Sequence, residues 1–289
     1  MKFGSVILIV VLSVLASSLT SFYIGAKPAA SLRESTYDRV MRTKTIRCGY
    51  AAWPPLLIKD PNSGKLSGVF YDYMQAVGKA LNLKIEWSEE MGWGDFPAAL
   101  SVGRVDAFCA GAWPNASRAS QIDFTVPISF QAIYAYVRAD DKRFDNNLAA
   151  IGSSATIVGV DGEMAMLIAN RDFPQAKSLQ IPELSGASGV FLSIVSNKGD
   201  VTFTDPITAG TFDAANPGKI RRVATKTPLR VFGNPLAIAR GQDDFRRMID
   251  TTTEELLYNG DIEKILKKYE TFPGTMLRVL PGYQVSAAQ

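Results

Sequence analysis

The chain has 289 residues, 31 Lys and Arg against 28 Asp and Glu, and 47% hydrophobic residues. That is enough for two modest cores, shows no bias toward disorder, and lacks the basic stripe of a nucleic-acid footprint. There is no histidine, which excludes Ser-His-Asp and Cys-His catalysis and removes the commonest zinc ligand, so no metal or other cofactor is expected.

Residues 1–26 begin with Lys2 and then carry no charge until Lys27. About 24 uncharged residues in a helix can span a bilayer core of roughly 30 Å. The same segment also reads as a signal peptide, with a basic start, an apolar run over residues 6–16 and the small residues Ala16, Ser17 and Ser18. Leader or membrane anchor, both readings leave Lys2 on the cytoplasmic side and export the rest. Residues 27–44 are polar and read as a stalk with a short helix.

The stretch "TIRCGYA" then reads as a strand, followed by Pro54-Pro55 and an Asn-Ser-Gly turn. "YDYMQAVGKALNL" places Tyr73, Ala76, Val77, Ala80 and Leu81 on one helical face, with Asp72 near its start. "KIEWSEE" is a strand, "DFPAALSVG" a helix stopped by Gly103, and "RVDAFCAGA" another strand. After "AIYAYVRADDKRF" the rhythm restarts: strand "ATIVGV", helix "DGEMAMLIANRDF", strand "KSLQI", helix "SGASGVFLSIVSNKG", strand "DVTFTD". Two α/β units of similar plan imply two lobes with a cleft between them, and ligands of open α/β sheets bind outside the carboxyl ends of the strands. Arg118 follows one such strand end and Asp205 leaves the matching end in the second unit. That symmetry favours an exposed cleft arginine awaiting an anionic ligand group over a merely solvated one.

Residues 45–269 resemble the extracytoplasmic solute-binding proteins of family 3, the amino-acid receptors of ABC transporters. The likeness rests on "IRCGYAAWPPLLIKDPNSGKLSGVFYDYMQAVGKAL", "GWGDFPAALSVGRVDAFCAGAWPNASRASQIDFTVP", "GDVTFTDP" and "LAIARGQDDFRRMIDTTTEELLYNGDIEKILKKY", in that order and spacing. It implies a two-lobe periplasmic-binding-protein-like fold of type II, α/β in class, with the ligand cleft between the lobes and a hydrophobic helix before them. Lobe 1 would comprise residues 45–137 and 233–275, lobe 2 residues 138–232, and residues 276–289 a tail. The implied function is that of a receptor, not an enzyme. It captures a small solute, an amino acid by default, outside the cytoplasmic membrane and presents it to an ABC permease.

Position by position, Arg118 matches the arginine that pairs with the ligand's α-carboxylate, a bidentate fit for a guanidinium. Asp205 matches the acid that receives the α-ammonium, or else merely caps a helix before Pro206. Trp53 matches the aromatic that stacks on the ligand side chain, or packs beneath the Pro-Pro turn, while Trp93 reads as a packing residue. Two departures stand out. Ala110-Gly111-Ala112-Trp113 lacks the family's hydroxyls, leaving backbone N–H groups at Gly111 and Trp113 as donors. Gly162-Glu163-Met164 replaces a Gly-Thr helix start, so Glu163 is either a first-turn acid suited to the helix dipole or a cleft acid that favours a cationic group. Cys48 and Cys109 fall on strands that neighbour each other in such a sheet, either as a disulfide or as two buried thiols. The rival functions are a membrane-anchored sensing module and a dehydratase using Glu163 and Asp205 as acid and base.

Overall fold

The computed structural model describes residues 34–144, 148–182 and 185–278. The expected hydrophobic helix and its cleavage or anchoring lie outside them. Among the described residues no helix is long and apolar enough to cross a membrane.

The first lobe contains α1 (Thr36–Thr43), β1 (Thr45–Tyr50), a ribbon of β2 (Ile58–Lys59) and β3 (Leu66–Ser67), α2 (Val69–Leu81) and β4 (Lys84–Glu90). It continues through α3 (Phe96–Ser101), β5 (Ala107–Phe108), the single turn α4 (Ala116–Ala119) and β6 (Ile122–Phe124). The chain then crosses into β7 (Phe130–Arg138), β8 (Thr156–Val160), α5 (Met164–Asp172), β9 (Lys177–Ile181) and α6 (Gly186–Val195). The second lobe is completed by β10 (Val201–Thr204), α7 (Pro206–Ala215), β11 (Ile220–Arg222) and β12 (Arg230–Gly233). It returns as β13 (Ala237–Ala239), α8 (Asp243–Tyr258) and α9 (Asp261–Tyr269).

Each lobe has its own sheet. In the first the order is β4-β1-β5-β13-β6, with β4, β1 and β5 parallel and the returning β13 antiparallel to both its neighbours. In the second the order is β11-β7-β10-β8-β9, and β12 pairs with the first half of β7. The period of two along β7 separates two cores: Ile133, Ala135 and Val137 face one apolar cluster, Tyr134 and Tyr136 the other. On α2 the side chains of Val69, Phe70, Tyr73, Met74 and Val77 are fully buried in the first core, and Asn82 ends the helix in a left-handed conformation.

Three expectations about boundaries are corrected. First, β7 belongs to the second sheet through its pairing with β10, β11 and β12, so residues 130–137 are not part of lobe 1. The crossing lies in residues 125–129 and 234–236, which pair directly: Asn234 N donates to the Ser129 carbonyl at 2.8 Å and Leu236 N to Thr125 Oγ1 at 2.9 Å. Second, α1 is docked rather than a stalk. Val40 is fully buried, and Arg39 donates through Nε at 2.9 Å to Asp106, a buried carboxylate that also receives Arg47. Third, residues 276–278 pack on the body of the protein: Met276 is buried and Leu277 exchanges two 2.8 Å backbone bonds with Phe130.

Cys48 and Cys109 form a disulfide with a Cα separation of 5.5 Å. Cys48 pairs in register with Ala107, so the bond runs obliquely from β1 to the residue following β5. It closes a loop of 61 residues, which on chain-entropy grounds stabilises the fold by about 4 kcal/mol. Unreduced protein should show no alkylatable thiol by mass spectrometry. Cys48→Ser/Cys109→Ser should lower the urea-unfolding free energy by an amount of that order.

Candidate functional site

Between the lobes lies a cavity of about 780 Å³. Its walls are the segments that follow the carboxyl ends of the strands, as the sheet topology dictates. Lobe 1 supplies residues 51–54 after β1, residues 90–93 at the end of β4, and Trp113 and Arg118 after β5; lobe 2 supplies Glu163 after β8, residues 185–188 after β9 and Asp205 after β10.

Three tryptophans line it. Trp53 sits on a tight ribbon in which it and Leu57 exchange backbone bonds at 2.7 and 2.8 Å. Its ring meets Trp93 and Trp113 edge to face, with centroids 5.5 and 5.2 Å apart and planes at 90° and 82°. Trp113 stacks on Phe232 of β12 at 5.3 Å and donates from Nε1 to Asn234 Oδ1 at 2.9 Å. Trp53 Nε1 reaches across the cleft to Thr208 Oγ1 at 3.4 Å, so the lobes are closed on one another.

Arg118 is held by its own turn, with Asn115 Oδ1 accepting the Arg118 amide as the cap of α4. Its guanidinium is not an exposed cleft arginine: only 8% of the residue is exposed. Nη1 donates to the Trp113 carbonyl at 3.1 Å, and Nη2 to the carbonyls of Trp93 and Gly162 at 3.3 Å each. The group lies 5.0 Å from the centre of the Phe96 ring. Burial pushes its pKa down to about 10, against the opposing pull of Glu163. Because Gly162 belongs to lobe 2, this one side chain joins both lobes. Gly162 has φ +73°, and a Cβ there would lie 3.3 Å from Gly94 Cα, so the lobes approach backbone to backbone at this point.

Asp205 lines the cavity and caps α7; the cap is the role that the sequence offered as the alternative to receiving a ligand ammonium. Oδ1 accepts the amides of Ile207 and Thr208 at 2.9 Å each, and Oδ2 accepts the Thr208 hydroxyl at 2.7 Å. With 1% exposure, burial raises its pKa above the ordinary carboxylate value. Thr208 thus accepts from Trp53 and donates to Asp205, linking the two lobes through one hydroxyl. Glu163 occupies the residue before α5, makes no capping bond, lines the cavity and acts electrostatically on Arg118.

One expected site residue is not brought to the cavity. Gly111 is buried behind it, at φ +76°, where a Cβ would be 2.5 Å from the Phe70 ring; its role is a backbone turn against that ring. Sequence reasoning also missed residues. Trp93, read as packing, lines the cavity, as do Glu90, Ser185, Ser188 and Thr208. The hydroxyls lacking in residues 110–113 are supplied from lobe 2, and the Thr three residues after the Asp205 cap was the one local signal for them.

Residues 46–272 match the bacterial extracellular solute-binding proteins, family 3. The chain belongs to that family. Relatives include a probable amino-acid ABC transporter-binding protein of Haemophilus influenzae, 24% identical over 236 residues, 79% of this chain and 85% of that protein. Another is an L-glutamate/L-aspartate-binding protein of Pseudomonas aeruginosa, 23% identical over 279 residues, 90% of this chain and 88% of that one. Among solved structures, an ancestral amino-acid-binding protein described as a precursor of cyclohexadienyl dehydratase superposes with a TM-score of 0.71 at 21% identity, covering 82% of this chain and 99% of its own. A solute receptor for L-cysteine from Neisseria gonorrhoeae gives 0.71 at 18% identity, with coverages of 84% and 99%. At such identities these two structures establish that this family-3 protein shares their fold.

The dual position of Asp205 separates two variants. Asp205→Ala leaves two buried amides without their acceptor and should cost about 1–2 kcal/mol. Asp205→Asn keeps an oxygen for those amides and removes the buried charge. Because the folded carboxyl titrates above its unfolded value of 3.8, its stabilising contribution is complete at low pH and is lost as pH rises through the folded pKa. Urea titrations from pH 4 upward should therefore show Asp205→Asn gaining on the natural protein as pH rises.

Proposed function

We propose that this protein is an extracytoplasmic receptor that closes its lobes on an amino acid and delivers it to an ABC-type permease. The observation that carries the reading is one cavity between the lobes with a buried guanidinium on lobe 1 and a buried carboxylate on lobe 2. Opposite charges fixed across a cleft suit the two ends of a zwitterion. In this reading the Arg118 N–H groups not engaged with carbonyls take the ligand carboxylate. Asp205 takes the α-ammonium, a counterion that relieves the burial of its own charge. Trp53, Trp93 and Trp113 enclose the side chain, with the Trp113 loop and Glu163 setting its limits. The Haemophilus and Pseudomonas relatives, binding proteins for amino acids by name, support the ligand class and the transporter partner. The family, extracellular by description, supports a location in the periplasm or on the outer face of the membrane.

An enzymatic use of Asp205 is disfavoured by its bonding: three donors already occupy its two oxygens, which suits an electrostatic anchor better than a group that must pass protons.

The test is a thermal-shift and calorimetric survey of the twenty amino acids. A ligand at about a thousand times its dissociation constant should stabilise the protein by roughly 4 kcal/mol. Arg118→Lys, whose ammonium cannot serve three carbonyls and a carboxylate together, should weaken that ligand more than tenfold. Silence across all twenty would overturn the reading.

A further inference from the structure

The cavity outruns its anchors. Asp205 caps the first turn of α7, and Arg118 reaches lobe 2 at Gly162. The cavity wall nevertheless continues down α7 through Thr208, Thr211, Phe212 and Ala215. Steps of three, one and three residues put these four on one face of the helix, a face about 10 Å long. The start of α6, a helix that packs against α7, adds Gly186 and Ala187 to the lining. Thr211, Ala215 and Ala187 are exposed, so this arm of the cavity opens to solvent beyond the anchors.

The arm has a chemistry of its own. Among the described residues, none that lines it is charged. Its polar groups are committed to their own helix: Thr208 Oγ1 donates to Asp205 at 2.7 Å, Thr211 Oγ1 to the Ile207 carbonyl at 2.8 Å, and Asn216 Nδ2 to the Phe212 carbonyl at 3.2 Å. Methyl groups, small side chains and the Phe212 ring remain. Such a surface gains by burying CH₂ groups and costs a charge its solvation.

This separates an amino acid from a peptide. A peptide held by its ammonium at Asp205 would carry its carboxylate into the arm; held by its carboxylate at Arg118, it would carry its ammonium there. An α-amino acid keeps both charges on one carbon at the anchored end, and only its side chain has to enter the arm. The whole cavity, at about 780 Å³, lies in the upper part of the range for drug-sized ligands, which leaves room beyond the anchors.

We propose that the ligand is an α-amino acid with a long, uncharged side chain, of the kind an acylated lysine carries, whose far part lies along Thr211, Phe212 and Ala215 of α7. This inference rests on the receptor reading above and narrows its ligand class.

Isothermal titration of the full chain with Nε-hexanoyl-L-lysine, L-norleucine and L-leucyl-L-leucine tests it, beside the twenty standard amino acids. Each CH₂ that the arm buries should tighten binding by up to about fourfold. Hexanoyl-lysine should therefore bind at least tenfold more tightly than norleucine, which has the same zwitterion and a short neutral side chain, and the dipeptide should be the weakest. Ala215→Trp and Ala187→Trp, at exposed positions where the fold tolerates a larger side chain, should each erase most of that advantage while leaving norleucine within about twofold; unchanged thermal unfolding of the free variants checks that they are intact. Norleucine or any standard amino acid binding as tightly as hexanoyl-lysine, the dipeptide binding most tightly, or an advantage that survives both variants would overturn the assignment of the arm and leave the receptor standing. Binding of no amino acid at all would overturn the receptor reading and this inference with it.

Discussion

A guanidinium buried between two lobes governs the geometry of this protein. Removing a charged group from water costs several kcal/mol unless donors and partners replace the solvent. Arg118 meets that requirement with three backbone carbonyls and the face of Phe96. Two of those carbonyls belong to Trp93 and Trp113, so the positions of two cavity walls follow from satisfying one side chain. The third belongs to Gly162 in the opposite lobe, so closure completes the set. The close approach of Gly162 to Gly94 is the steric condition that lets this happen.

Closure also requires a place to bend. The lobes are joined by residues 125–129 and 234–236, with Phe130 and Leu277 paired beside them. A few residues at the ends of β6, β7, β12 and β13 therefore absorb any change in lobe angle, the usual arrangement of a hinge. Asn234 sits at its centre, fully buried, donating to Ser129 Oγ and accepting from the Trp113 indole. Trp113 also stacks on Phe232, the penultimate residue of β12. One wall of the cavity is thus hydrogen-bonded to the hinge itself, and a ligand that fixes Trp113 also fixes the angle between the lobes.

Much of this was legible in the sequence. The alternation of strand and helix periods gave two α/β units, and strand-end reasoning brought Arg118 and Asp205 to one cleft. The crossing was placed too late because β7 alternates apolar and aromatic residues in a way that would suit either sheet; only its partners assign it. Trp93 escaped because an aromatic in the loop ahead of α3 looks the same whether it packs inward or faces a cavity. Gly111 was read as a donor because φ and the proximity of Phe70 leave no trace in the local sequence. The lobe 2 hydroxyls were missed for a similar reason: Ser185 and Ser188 open α6, and nothing local reveals that this helix start lines the cavity.

The two halves of the site differ in kind. In lobe 2 Asp205 is fixed before any ligand arrives, because the helix it caps needs its oxygens, and Thr208 is fixed with it. In lobe 1 Trp93 and Trp113 stand on loops whose carbonyls Arg118 holds, and one of Arg118's three carbonyl partners is supplied only when the lobes meet. A ligand that first touches lobe 2 would find a rigid anchor of negative charge. The aromatic walls and the guanidinium reach their final geometry around it as the lobes close.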